Sequence, residues 1–165
     1  LALVLYSDII NSDDPKESLL RTKISMKMSF SVTLVFIIII LLIPGNLYTL
    51  VFGKDFQQTK KIILLLSPGI LAIAVSNIIG FYFAGINMLK ILNIKAIVGL
   101  IFTAICSFYS IPKWGISGAC VVTSASYCLS SGLLLWKFYQ LTNFHINDFI
   151  ISTSEVKLLL LKFKR

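Results

Sequence analysis

Three cysteines, Cys106, Cys120 and Cys128, and a single histidine, His145, are the side chains of most obvious reactivity, and their spacing gives them little to do. Zinc and redox sites pair their cysteines a few residues apart. These three are odd in number and widely separated, so they read as small packing residues, and His145 reads as a solvated interfacial side chain. There is no glycine-rich phosphate loop, no nucleophile elbow and no carboxylate pair placed for acid/base work. No residue is therefore assigned as catalytic or metal-binding, no cofactor is expected, and the chain reads as something other than an enzyme. The polar side chains left to consider are Asn77, Tyr82 and Asn87, whose chemistry is hydrogen bonding in surroundings that offer no water.

Those surroundings are set by four uncharged apolar runs, 28–53, 62–89, 96–112 and 114–136. A helix needs about 20 apolar residues to cross a hydrocarbon core of roughly 30 Å, and each run is near or above that length. The composition agrees: 57% hydrophobic, 13% charged, mean hydropathy +0.90,. The predicted fold is all-α, a polytopic membrane protein of four transmembrane helices. Its organisation reads as the end of a preceding transmembrane helix at 1–6, a cytoplasmic connector at 7–27, the four-helix region at 28–138 and a cytoplasmic, amphipathic, basic tail at 139–165.

The net charge of +8 lies between apolar runs rather than on a polar surface, which points to membrane lipid and away from nucleic acid,. Of the 15 basic residues, 11 fall at the two ends and in the Lys90/Lys95 loop, whereas Lys54, Lys60, Lys61 and Lys113 occupy the alternate loops. The positive-inside rule then puts both ends in the cytoplasm. No Asp, Glu, Lys, Arg or His lies within any run, so no buried ion pair or proton relay is expected. Asp14-Pro15-Lys16-Glu17 has the form of a helix start, and that helix is predicted to continue into the first span. Ser152 to Glu155 repeats the capping spacing ahead of a basic apolar segment suited to a membrane surface.

Within the second run, Pro68 beside Gly69 predicts a bend. Ala72, Ser76, Gly80 and Ala84 form a small-residue stripe for close helix approach, and Gly115, Ala119 and Thr123 repeat the pattern in the last run. Asn77 lies off the stripe and must either bond to another helix or line a polar cavity.

Taken in order, these segments resemble the C-terminal part of polysaccharide-biosynthesis membrane proteins, the O-antigen and capsule flippases of the multidrug/oligosaccharidyl-lipid/polysaccharide exporter superfamily. Leu50-Val51-Phe52-Gly53 with Phe56, Ser67-Pro68-Gly69-Ile70, the Tyr82/Gly85/Asn87 pattern and Ile111-Pro112-Lys113-Trp114-Gly115-Ile116-Ser117-Gly118-Ala119 with Ser126-Tyr127 carry the likeness. The resemblance implies one lobe of a transporter in the bacterial cytoplasmic (inner) membrane. Its substrate would be an isoprenoid pyrophosphate-linked oligosaccharide, and a missing N-terminal half would complete the machine. Polysaccharide polymerase or chain-length proteins are the further partners it implies. Asn77, Tyr82 and Asn87 become substrate-path candidates. Arg21, Lys23 and Lys27 would either draw the pyrophosphate to the cytoplasmic mouth or serve as ordinary basic anchors. Two alternatives stand beside this reading: an exporter of drugs or small metabolites, and a truncated membrane protein that only binds polysaccharide-synthesis partners.

Overall fold

The computed structural model describes residues 15–53 and 58–142, without the side chains of 15–17 and 51–52. The expected cap at Asp14, the outward Lys54, His145 and the tail segment from 143 onward lie outside the described residues. What is described is helical: α1 (Pro15–Leu42), α2 (Gly45–Phe52), α3 (Thr59–Gly85) and α4 (Leu89–Thr142). Three of these are long and apolar enough to cross a membrane: α1 over its 25 residues Ser18–Leu42, the 27 residues of α3 and the 54 residues of α4.

The expected first span does not run unbroken to Gly53. Proline 44 has no N–H to give and forces the residue before it out of helical geometry, so α1 stops and α2 starts afresh,. The hydroxyl of Tyr48 donates to the Ile40 carbonyl at 2.8 Å, satisfying an acceptor in the last turn of α1,. The chain is already helical at Pro15, the first described residue.

In place of the third and fourth spans there is one 54-residue element, which as a straight helix would be about 81 Å long,. It is folded. Gly115 takes φ 54 and ψ −134, a conformation open to a residue without Cβ, and the chain doubles back there,. Contacts pair the two arms in antiparallel order: Thr103 Oγ1 donates to Ser126 Oγ at 2.7 Å and Ser126 Oγ to the Gly99 carbonyl at 3.0 Å. Nearer the bend, a Cβ on Gly118 would stand 2.5 Å from the Ser110 carbonyl oxygen. The segment from Ile111 to Ala119 therefore forms the turn of a helical hairpin. Trp114, at the bend, and Trp136, near the far end of the second arm, are both exposed, and the helical stretch from Gly115 to Trp136 would be about 32 Å long, close to the hydrocarbon thickness,. Tyr109 and Tyr139 are also exposed, in keeping with an aromatic belt,.

The core joins Met26 of α1, Val75, Ile78, Ile79 and Phe83 of α3, and Leu134 and Phe138 of α4. Phe83 and Phe138 meet edge to face at 6.4 Å. Among membrane helices such contacts hold by van der Waals packing rather than by removal from water.

Candidate functional site

Where α1 crosses α3, hydroxyl side chains recur on one face of α1 every three or four residues: Ser18, Thr22, Ser25, Ser29 and Thr33,. The first two are buried, and Thr22 Oγ1 returns to the Ser18 carbonyl at 2.8 Å. Ser29 Oγ donates across the interface to the Ala74 carbonyl at 3.3 Å. Towards the surface the stripe opens into a mostly apolar groove of about 280 Å³, with Ser25, Ser29 and Thr33 beside Met28 and Val32 on one wall and Asn77 beside Ala74 and Ile78 on the other. Asn77 is exposed and makes no hydrogen bond to another helix among the described residues. This hydroxyl stripe is legible as a period in the sequence, but apolar-run analysis passes over it because Ser and Thr sit inside strongly apolar segments.

The other candidates serve different places. Tyr82 is half-buried and stacks edge-on against Phe138 at 5.5 Å, in the core. Asn87 is exposed at the end of α3 with φ 59, and the amides of Asn87 and Met88 donate back to the carbonyls of Ala84 and Phe83 at 3.1 and 2.8 Å. That is a Schellman ending with Asn supplying the left-handed residue, a structural task. Arg21, Lys23 and Lys27 lie on α1 itself, continuous with the span, and Lys27 is 6% exposed.

Pro68 and Gly69 form a local device. The proline leaves the Leu64 carbonyl without its amide partner, and Ser67 Oγ donates to that carbonyl at 2.8 Å,. The next amide, Gly69 N–H, donates to Ser124 Oγ on α4 at 3.0 Å. The close helix approach also occurs here, since a Cβ on Gly69 would lie 2.7 Å from Ser124 Cα, whereas one on Gly80 would meet only a Leu92 methyl at 3.6 Å. Gly115 makes the hairpin bend, and Ala119, half-buried, follows it on the second arm.

One polar group overturns an expectation. Lys95 is not in a loop, because α4 begins at Leu89, and its ammonium donates to Ser76 Oγ, a hydroxyl with 0% exposure. Lys27 and Lys95 each stand one residue before an uncharged apolar run, inside helices long enough to cross a membrane, so the helices begin well before the apolar runs do. Helices end where backbone geometry ends them, not where hydropathy falls. Comparison with known protein families, curated proteins and solved structures finds no match to this chain.

Proposed function

We propose that the chain is part of a flippase that carries a lipid-linked oligosaccharide across the bacterial cytoplasmic membrane by alternating access, with both chain ends cytoplasmic. The observation that carries this reading is Asn77, an exposed amide on a spanning helix, facing Ser25, Ser29 and Thr33 across a groove. Acyl chains offer such groups no hydrogen bond, whereas water and sugar hydroxyls do. Its polar strip, set in an otherwise apolar lining of Met28, Val32, Ala74 and Ile78, suits the wall of a path for an amphipathic substrate. The sequence resemblance supplies the substrate class, and Arg21 and Lys23, which unlike the buried Lys27 reach the surface, supply cations for a pyrophosphate head group,. In this reading the chain furnishes most of one lobe and an opposing repeat completes the path.

The test is complementation in a strain lacking its own flippase. The parent gene is expected to restore surface polysaccharide, and Asn77→Leu to lower export while membrane protein levels hold. Normal export by Asn77→Leu would remove the amide from the pathway. Restoration by residues 1–165 alone, with no second lobe, would refute the half-transporter reading.

A further inference from the structure

The short helix α2 turns its polar side to the protein and its apolar side away. Tyr48 and Thr49 are half-buried; the Tyr48 hydroxyl bonds the Ile40 carbonyl, and Thr49 Oγ1 donates to the Asn46 carbonyl at 2.8 Å. Leu47 and Leu50, three residues apart and so on the opposite side, are 44% and 80% exposed,. A helix lying between a protein core and water presents the reverse arrangement. The apolar side is also continuous with Leu42, which is 75% exposed, and with exposed Val35, Ile38 and Ile39 on the outer face of α1, a helix long and apolar enough to cross a membrane.

Helix pairing fixes the level at which α2 stands. Ser29 bonds Ala74; Leu42 lies 13 residues beyond the first and Thr59 15 residues before the second, about 20 and 22 Å along their helices,. Gly69 bonds Ser124; Thr59 lies 10 residues before the first and Gly115 9 residues before the second, about 15 and 14 Å,. The end of α1, the start of α3 and the bend of α4 therefore share one level. Exposed Tyr109 and Trp114 stand near it, as do exposed Lys60, Lys61 and Lys113. Aromatic and long basic side chains gathered at one depth suit the boundary between acyl chains and head groups. The chain enters α2 directly from Leu42, at that boundary.

We propose that α2 is an interfacial helix whose partner is the phospholipid surface itself. Leu47 and Leu50 enter the acyl chains by about 5–10 Å, and Lys60, Lys61 and Lys113 meet the lipid phosphates. The connection between two spans is thereby pinned to the membrane face at which α1 ends. This rests on the fold and is independent of the flippase reading and of which face is outward.

The full chain, with Trp114→Phe and Trp136→Phe to remove its own tryptophans, is reconstituted into phosphatidylcholine vesicles carrying bromine either near the glycerol end or near the methyl end of the acyl chain. Leu50→Trp should emit at short wavelength, lose more emission to the shallow bromines than to the deep ones, and resist aqueous iodide. Phe36→Trp, exposed on α1 within the span, is the deep reference and should show the opposite bromine preference. Strong iodide quenching of Leu50→Trp would put α2 in water. Indifference to both bromine and iodide would mean that protein covers this side, and a depth equal to that of Phe36→Trp would make α2 part of the span; each result overturns the proposal. Should the tryptophan-free chain fail to fold, a nitroxide on Leu50→Cys in a cysteine-free chain decides. Collisions with oxygen should outweigh those with a water-soluble nickel chelate, and the reverse refutes the interfacial helix.

Discussion

Adding one methyl group at Gly69 tests the packing of the whole bundle. The new Cβ of Gly69→Ala would lie 2.7 Å from Ser124 Cα, 3.0 Å from its Oγ and 3.1 Å from its carbonyl oxygen. A flexible side chain could move aside, but the nearest atom is backbone, so α3 and α4 must separate. Overpacking of this kind costs about 1–3 kcal/mol. The separation also stretches the Gly69 N–H to Ser124 Oγ bond, adding about 0.6 kcal/mol, typical of a hydrogen bond between membrane helices,. Against this stands the helix-propensity gain of alanine over glycine, about 1 kcal/mol. The net expectation is a destabilisation of roughly 0.5–2.5 kcal/mol. Gly80→Ala is the control, because its Cβ meets only the Leu92 methyl at 3.6 Å, and it should be neutral or stabilising by up to about 1 kcal/mol,. Folded fractions across an SDS titration in mixed micelles measure both. Ser124→Gly should not rescue Gly69→Ala, since removing Oγ leaves the Cα in place. Equal stability of Gly69→Ala and Gly80→Ala, or full rescue by Ser124→Gly, would refute the geometry.

The Ser67–Pro68 pair makes a second prediction: Ser67→Ala costs about 1 kcal/mol by stranding the Leu64 carbonyl, but nothing in a Pro68→Ala background, where an amide returns to that carbonyl,. A double-mutant cycle in the same SDS assay reads this coupling, and equal effects in both backgrounds would refute it. Orientation makes the third. In a cysteine-free background, an impermeant thiol reagent added to intact cells should label Lys113→Cys at the hairpin and spare Lys90→Cys after the α3 turn. The reverse pattern would invert the topology.

The existence of the helices and the hairpin were open to reading because apolar length, Pro112 and Gly115 are local facts. The break at Pro44 was hidden, since hydropathy counts a proline as one more apolar residue and takes no account of its missing donor. Lys95 is hidden for the converse reason: an apolar run marks only part of a helix, and the backbone is helical from Leu89 onward, which brings the lysine to Ser76 on α3. The small-residue stripe named Gly80 as a contact, but which glycine abuts a partner depends on where the helices cross, and that is at Gly69. Asn77 was identified from burial cost alone. Its facing wall, Ser25 to Thr33, lies more than forty residues away and became visible only with the pairing of α1 and α3.

The bond from Gly69 N–H to Ser124 Oγ, 55 residues further along the chain, also imposes an order on synthesis. When α3 leaves the ribosome, the partner of its Gly69 amide has not yet been made; at about 5–20 residues per second, Ser124 follows roughly 3–11 s later,. The first arm of α4 must enter the bilayer and turn at Gly115 before the second arm can return alongside α3. Until then the seam on α3 faces lipid or the insertion machinery. The hairpin closes through its own contacts, as those of Thr103 and Gly99 with Ser126 allow, and closing it delivers Ser124 to its place. Insertion of the two arms as a unit is thus a precondition for α3 to finish folding, and a substitution that stalls the turn at Gly115 should trap the chain in the membrane with that seam still open.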